Sequence, residues 1–436
     1  MTSELTGRVR RGYALGSVAT GTFGTVPGLL LLPYLTDRIG VASALAGVLV
    51  FAPKAWDVVL NPIAGRISDR STDPRGRRRP FLIRAGLTLA VLFAVMFSGP
   101  TAPQAVAAAW VAVAFLGCAT AYAFFQVPYV AMPAELTLDY AERTRLMTWR
   151  VVVLAVAILL SGATAPIVAE QAGHAAMGVY VGAIIAVGVV GAWWGTRGAP
   201  EHRVETAGGS LGDQLRLIGA NPDFRALLSV FVVQAAAIGT LLAGVAYVAD
   251  DLLDSTAANT FLFVAFVGPA LLVTPVWERY ARTRGKRSGY ALATVCMVLG
   301  MAALVAAHAG ALAITYAAAA LVGVGYAGAQ VFPMAMLPDV AAEDAARSGQ
   351  NRIGVFTGVW TAGETLGLAL GPGIFAIALT VGGYVSSAGG DVDQPDSALW
   401  AIGLGFSLLP ALLTAVSLLV LRHYRLDDRL RTTPAR

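Results

Sequence analysis

The stretch GRISDRSTDPRGRRRP, residues 65–80, separates two apolar runs and returns in altered form in the second half of the chain. Its elements Asp69-Arg70 and Gly76-Arg77-Arg78 have five residues between them. They reappear 209 residues later, with the same spacing, as Glu278-Arg279 and Gly285-Lys286-Arg287. A repeated loop of this kind indicates that the chain contains two related halves.

A second repeated pattern follows the first in both halves. It joins four pairs of residues that lie 204 positions apart, namely Tyr122 with Tyr326, Gln126 with Gln330, Glu135 with Asp339, and Arg143 with Arg347. The two patterns occur in the same order, and their offsets differ by only five residues. Parallel duplication of a half-transporter leaves such a trace.

The regions between these motifs are strongly apolar. Of all residues, 57% are hydrophobic and only 13% are charged, whereas about 25% are charged in soluble domains. This composition excludes an ordinary soluble enzyme. Twelve runs approach the ~20 residues that cross a hydrocarbon core, at 13–36, 42–66, 80–99, 104–131, 147–169, 174–195, 226–248, 258–278, 288–307, 311–336, 353–382 and 398–421. The sequence predicts an all-α integral membrane protein with twelve transmembrane helices.

One long polar stretch divides the twelve runs into two groups of six. It contains Gly208 and Gly209, a mixed-sign charge run and no apolar span, which is typical of a linker. We therefore predict two pseudo-symmetric six-helix halves. Residues 1–195 form the first half, residues 196–225 a cytoplasmic linker, and residues 226–436 the second half with a short cytoplasmic tail.

The positions of the 31 Lys and Arg residues predict the orientation. If the N-terminus is cytoplasmic, every basic residue lies in a cytoplasmic segment except Arg38, outside, and Lys54, within the second span. This arrangement places both termini in the cytoplasm of a multi-pass protein of the inner or plasma membrane. The basic loops lack interleaved aromatic residues, so we assign them to the lipid surface and exclude nucleic acid as a partner.

Other chemistry has little support in the sequence. Cys118 and Cys296 lie within apolar runs, and the four histidines are dispersed at loops or span ends, so we predict no disulfide, metal site or cofactor. No nucleotide-binding loop motif and no convergent catalytic residues are found. The sequence therefore favours a protein that is not an enzyme, and we predict a monomer.

The repeated loops suggest a conformational gate. An acid at a helix end beside a cluster of guanidinium groups can hold two helices together in one state and release them in another. The candidate gating residues are Asp69, Arg70, Gly76, Arg77, Arg78, Glu135, Arg143, Glu278, Arg279, Asp339 and Arg347. The alternative is that the arginines only anchor the topology.

Several motifs bear a resemblance to a known family. They are Tyr34-Leu35-Thr36-Asp37, Trp56-Asp57, Asn61-Pro62, the loop at residues 65–80, Leu337-Pro338-Asp339 and Gly358-Val359-Trp360. Together they resemble the glycoside-pentoside-hexuronide:cation symporters of the major facilitator superfamily. The resemblance covers most of the chain, and it implies the major facilitator fold, alternating access and cation-coupled uptake.

The resemblance also implies roles for single residues in the spans. Asp57 matches an acid that serves cation coupling, and Lys54 matches a basic position beside it. The family's second coupling acid is replaced by Asn61, while Gly21 and Gln126 stand where two acids of the sugar site occur. Since a sodium site needs several hard oxygen ligands, we expect a proton, rather than sodium, to be the coupled ion.

An acid in the eleventh span extends this interpretation. Glu364 and Lys54 each lie about 18 Å from the cytoplasmic end of their span at 1.5 Å per residue. We hypothesise that Lys54, Asp57 and Glu364 form one network, in which protonation of a carboxylate releases Lys54. The alternative is a static structural ion triad.

Polar and aromatic residues of the spans are candidates for the substrate cavity. They are Gln126, Tyr122, Gln330, Tyr326, Trp360, Arg150 and Gly21. Amide and phenol groups suit a polyhydroxylated neutral solute, although hydrogen bonds between helices would explain the same residues.

These observations predict a secondary active transporter that moves a small polar organic solute, such as a sugar or glycoside, by proton-coupled symport. A proton-coupled exporter of a hydrophobic or natural-product solute is the first alternative. A non-transporting membrane receptor is the second.

Overall fold

The computed structural model describes residues 5–137, 140–199, 216, 219–348, 353–390 and 392–426. All regular structure in this part of the chain is helical. The α-helices are α1 Gly7–Pro33, α2 Ser43–Asp69, α3 Arg79–Phe97, α4 Gln104–Leu136, α5 Tyr140–Thr196, α6 Pro222–Tyr247, α7 Thr256–Arg284, α8 Lys286–Ala303, α9 Leu312–Ser348, α10 Ile353–Gly382, α11 Asp396–Phe406 and α12 Leu408–Leu421.

Eleven described segments are long and apolar enough to cross a membrane. One of them covers most of α5, which has 57 residues and is broken at Gly173, where φ is 85°. Glycine adopts this left-handed conformation without the steric penalty that a Cβ imposes. The two arms of α5 are thus separate spans, whereas α11 and α12 together form one. The prediction of twelve transmembrane helices is confirmed.

The chain forms two compact units. Unit 1 contains Met1–Glu205 and the short segment Ser386–Val392, and unit 2 contains the remainder. The predicted boundary of the first half, residue 195, lies at the end of α5. Most of the predicted linker, including residues 200–215, lies outside the described residues.

The two units repeat the same order of helix packing. In unit 1, α1 packs against α5, α2 against α4, and α3 against α4 and α5. In unit 2, α6 packs against α10, α7 against α9, and α8 against α9 and α12. These contacts match pair by pair when α6 takes the place of α1, as a duplicated half requires.

Glycine allows the closest of these approaches. A Cβ built on Gly12 of α1 would overlap the Cα of Gly195 in α5. In unit 2, a Cβ on Gly371 of α10 would overlap the backbone of Gly239 in α6. Small residues at such crossings let membrane helices touch through their backbones, so they position the side chains that follow on the same helices.

Candidate functional site

Two charged residues of α2 lie inside unit 1. Asp57 is 2% exposed, and its Oδ1 accepts no hydrogen bond from a described residue. Lys54, one turn earlier, places its ammonium nitrogen 5.2 Å from the centre of the Phe23 ring, a cation–π contact. The two charges interact electrostatically, although no ion pair within 4.0 Å joins them in the described part of the chain. Asp57 thus presents an unsatisfied buried oxygen.

The cavity residues predicted in unit 1 have different surroundings. Tyr122 packs against Phe23, with ring centres 4.6 Å apart. Tyr122 and Lys54 therefore contact the same ring, that of Phe23. Gln126 and Asn61 are partly exposed. Gly21 is buried, and a Cβ there would meet the backbone oxygen of Leu154 at 3.1 Å. A larger side chain at that position would press against α5.

An aromatic cluster that sequence analysis missed holds Arg150. The Tyr129 hydroxyl hydrogen-bonds to the Tyr13 backbone oxygen and to the Ser17 hydroxyl, each at 2.8 Å. Its ring stacks on Tyr13 with centres 4.7 Å apart. The guanidinium carbon of Arg150 lies 5.7 Å from the centre of the Tyr129 ring. The hydrogen bonds of Tyr129 thereby fix the ring against which the guanidinium group of Arg150 packs.

In unit 2, one pocket brings together Tyr326, Gln330 and Glu364. The cavity between its walls has a volume of about 20 Å³, which is room for about one water molecule. The Tyr326 phenol interacts electrostatically with Glu364 and lies beside Gln330. Phe231 and Met297 supply apolar walls. The pocket combines hydrogen-bonding groups with one acid and aromatic surface, as ligand sites commonly do.

The end of this pocket is held by a network centred on Gln234. Its side-chain amide donates to the hydroxyls of Thr294 and Ser417, each at 3.0 Å, and its carbonyl oxygen accepts from the Tyr290 hydroxyl at 3.0 Å. The four residues are buried and join α6, α8 and α12. Sequence analysis missed them, although a glutamine amid the apolar residues of α6 is a feature that could have identified one.

Trp360 does not line this pocket. Its side chain is fully buried and stacks on Phe231, with ring centres 4.2 Å apart. Since Phe231 lines the pocket, Trp360 supports the wall from behind. Its indole N–H has no hydrogen-bond partner among the described residues.

The repeated loop of unit 1 is tied to α4 by a buried charge cluster. Arg78 donates through Nε to Glu135 at 3.0 Å and through Nη1 to the Ser68 hydroxyl at 2.6 Å, while its Nη2 lies 2.9 Å from the same carboxylate. Arg77 lies 3.9 Å from Glu135. Gly76, with φ of 110°, makes the turn that brings these arginines back to the helix ends.

The corresponding cluster of unit 2 is smaller. Lys286 forms an ion pair with Asp339 at 2.5 Å and donates to the Ala335 backbone oxygen at 2.9 Å. The predicted candidates Glu278 and Arg279 are exposed and make no ion pair within the described residues. The gating set therefore missed Lys286, although the repeated motif contains it.

The remaining gating candidates are less constrained. Arg347 pairs with Glu343, one turn earlier on the same helix. Arg70 is exposed and forms no ion pair with another described residue. The side chains of Asp69 and Arg143 lie outside what the structure describes. Among the described residues, no group of three or more His, Cys, Asp or Glu side chains could hold a metal ion.

The chain is similar to known transport proteins over nearly its whole length. Residues 12–428 match the model of the MFS/sugar transport protein family. A putative glycoside/cation symporter of Escherichia coli is 25% identical, over 98% of this chain and 93% of its own. An uncharacterized symporter of Synechocystis is 24% identical over 96% and 94% of the two chains. The inward-facing, occupied structure of a bacterial homolog of the human lysosomal transporter Spinster aligns with a TM-score of 0.69 at 12% identity, covering 98% of both chains.

Proposed function

Because the chain belongs to the MFS/sugar transport protein family, a family of transporters rather than enzymes, we propose that it is a proton-coupled symporter of a small, polar, glycoside-like solute. The resemblance to the glycoside-pentoside-hexuronide:cation symporters is confirmed by the family match and by the full-length glycoside/cation symporter relative. That relative supports a glycoside as the solute class here.

One observation carries the choice of ion. Asp57 is buried inside a membrane helix with one carboxylate oxygen that no described residue satisfies. A buried carboxylate in this state gains most from binding a cation or a proton, because burial disfavours its charged form. Asn61 removes the second carboxylate that would help to coordinate sodium. A proton therefore fits Asp57 better than a metal ion does.

Coupling requires that the bound proton changes the pairing of other charges. We propose that Lys54 responds to the charge of Asp57, its neighbour on α2. Glu364 is the candidate coupling acid of unit 2. The candidate solute contacts of this proposal are Arg150 and Gln126 in unit 1 and, separately, Gln330 in unit 2. The clusters at Glu135 and Asp339 serve in this proposal as gates at the cytoplasmic ends of the helices.

The proposal also includes the setting of the protein. We infer a monomer in the inner or plasma membrane with both termini cytoplasmic, as the distribution of basic residues predicts. Accessibility of single cysteines introduced into the basic C-terminal tail, measured in intact cells and in inverted vesicles, tests that orientation.

Transport in proteoliposomes tests the coupling. The probes are the methyl glycosides of a hexose, a pentose and a hexuronic acid, offered with an imposed pH gradient or with a sodium gradient at equal pH. We expect the wild type to accumulate a probe only with the pH gradient. Asp57→Asn and Glu364→Gln should lose accumulation and its pH dependence, yet retain exchange of solute across the membrane.

A matched control separates coupling from a general effect of charge removal. Asp396 is an exposed acid in the first turn of α11, so Asp396→Asn should accumulate solute as the wild type does. Wild-type accumulation in both Asp57→Asn and Glu364→Gln would refute the coupling role. Solute accumulation with the sodium gradient alone would show that sodium, not the proton, is the coupled ion.

A further inference from the structure

One end of unit 1 carries two arginines that stack on two consecutive tryptophans. Trp193 and Trp194 lie in the last turn of α5. The guanidinium carbon of Arg8, from the first turn of α1, lies 4.2 Å from the centre of the Trp194 ring. The guanidinium carbon of Arg197 lies 5.4 Å from the centre of the Trp193 ring. Both contacts are cation–π interactions, and they place two positive charges at the same end of these helices.

Arg8 is held in place by further contacts. Its Nη2 donates a hydrogen bond of 2.9 Å to the backbone oxygen of Trp194. The last carbonyl groups of a helix lack the intrahelical N–H partners of earlier ones, and Arg8 supplies a donor to one of them. The close approach of Gly12 to Gly195 fixes α1 beside α5. The position of the Arg8 guanidinium group is therefore determined by the packing of two helices.

The two arginines can still bind an anion. Both side chains are exposed, and neither forms an ion pair within the described part of the chain. A guanidinium group has five N–H donors. The described residues accept one hydrogen bond from the side chain of Arg8 and none from that of Arg197. Two guanidinium groups without a described counter-charge attract an anion, and their planar forks match the geometry of a phosphate group.

An apolar surface extends from these arginines along the membrane span. Val187, Val190 and Trp194 are exposed and lie three and four residues apart, hence on one face of α5. These three residues form the α5 stripe, and they belong to a segment that is long and apolar enough to cross a membrane. Trp194 remains 57% exposed although Arg8 stacks on its ring. The α5 stripe suits an acyl chain, and tryptophan is enriched at the level of lipid headgroups.

We propose that Arg8 and Arg197 bind the phosphate headgroup of one anionic phospholipid, whose acyl chain lies along the α5 stripe. The lipid belongs to the leaflet on the side of the N-terminus, which is cytoplasmic in the predicted orientation. This site differs from a general attraction of basic loops to the membrane, because it joins a fixed pair of charges to an apolar surface on the same helix. It does not depend on which solute the protein carries.

The charges determine the size of the expected lipid preference. A basic residue close to the membrane surface favours an anionic lipid by about five-fold. Two of them should therefore favour phosphatidylglycerol over zwitterionic phosphatidylcholine by about 25-fold. Acyl chains of equal length in the two lipids cancel the apolar contribution.

Native mass spectrometry of the purified full-length protein provides the test. The probes are dioleoyl phosphatidylglycerol and dioleoyl phosphatidylcholine, titrated singly and in mixture. Arg8→Gln combined with Arg197→Gln should abolish the preference for phosphatidylglycerol, and either change alone should reduce it by about five-fold. Trp194→Leu keeps an apolar side chain on the α5 stripe but removes the stack under Arg8, so it should weaken phosphatidylglycerol binding by about two- to five-fold.

A helix end of unit 2 offers a matched control. Arg282 and Arg284 are exposed in the last turn of α7, at the same predicted face of the membrane, and neither stacks on a described aromatic ring. Arg282→Gln combined with Arg284→Gln removes the same charge and should leave the lipid preference unchanged. Should the double variant of Arg8 and Arg197 fail to fold, the single variants give the same test, since each removes one exposed side chain.

Four results would overturn the proposal. Equal binding of the two lipids by the wild type would show that no anionic site exists. A preference that persists without both Arg8 and Arg197 would place the lipid elsewhere, and an equal loss in the control would attribute the preference to overall charge. Displacement of phosphatidylglycerol by inorganic phosphate at the concentration of the lipid would assign the arginines to a soluble anion.

Discussion

The charge clusters of the two units occupy equivalent places in the repeat, but they differ in depth and in partner. In unit 1, the second basic residue of the motif, Arg78, forms an ion pair with Glu135, and their side chains are 8% and 7% exposed. In unit 2, the first basic residue, Lys286, forms an ion pair with Asp339, and their side chains are 31% and 28% exposed. The first basic residue also approaches the acid in unit 1, where Arg77 lies 3.9 Å from Glu135, so the two copies differ in which basic residue makes the shortest contact.

The difference follows from the shapes of the two cations. A guanidinium group presents several N–H donors in a planar fork, which allows Arg78 to bind the Glu135 carboxylate and the Ser68 hydroxyl together. An ammonium group is a compact, strongly hydrated charge, and Lys286 keeps part of its contact with water. The buried cluster depends on complete hydrogen bonding, whereas the exposed pair can open at little cost. In the proposed gating role, the pair of unit 2 is therefore the one that separates at the lower cost.

Removal of the acid from the buried cluster should have the largest effect. Glu135→Gln leaves the Arg78 guanidinium buried without a compensating charge, which costs about 3–5 kcal/mol of folding free energy. Denaturant titration of the purified protein in detergent micelles measures this loss of unfolding free energy. A loss below about 1 kcal/mol would show that Arg78 reaches water more easily than its burial indicates.

Exchange of the two cations sharpens the comparison. Arg78→Lys loses the forked contact to Glu135 and Ser68, so we expect a loss of about 2 kcal/mol. Lys286→Arg, the reverse change in unit 2, should remain within about 0.5 kcal/mol of the wild type. The same unfolding measurement applies to both variants. Equal losses would indicate that the two clusters do not differ in their need for a guanidinium group.

The hydroxyl that completes the buried cluster should have a moderate effect. Ser68→Ala removes the acceptor of Arg78 Nη1, and the loss of one buried hydrogen bond amounts to about 1 kcal/mol. Ser68→Ala should cost no further unfolding free energy when Arg78→Lys is already present, because a lysine at position 78 no longer reaches both Glu135 and Ser68. A double-mutant cycle measures this coupling, and additive losses would argue against it.

The exposed pair of unit 2 should have the smallest effect. Asp339→Asn should cost about 0.2–1 kcal/mol, as partly exposed ion pairs do. Salt screens such a pair, so the difference from wild type should shrink at high ionic strength. The loss caused by Glu135→Gln should change much less with salt. Unfolding of both variants at low and high salt gives the comparison, and equal salt dependence would contradict it.

The helices and the repeat were predictable because the features that define them are local. The length and apolarity of each run predict a span, and the duplicated motifs predict two halves, without any knowledge of packing. The sequence predicted Tyr326 and Gln330 as members of a common cavity but assigned Glu364 to the coupling residues, so its place in the same pocket was not anticipated. Gln234, Tyr129 and Lys286 were missed, because their importance depends on partners on other helices.

The sequence by itself determined the membrane-spanning class, the number of helices, the duplication and the transporter family of this protein. These properties follow from the lengths of the apolar runs and from the spacing of the repeated motifs. Only the tertiary structure decided which charges meet and which residues share a pocket. Arg78 and Glu135 are 57 residues apart in the chain, and the rings of Phe266 and Tyr326 come from different helices. Contacts of this kind depend on how helices cross and rotate, which the packing of many side chains determines together.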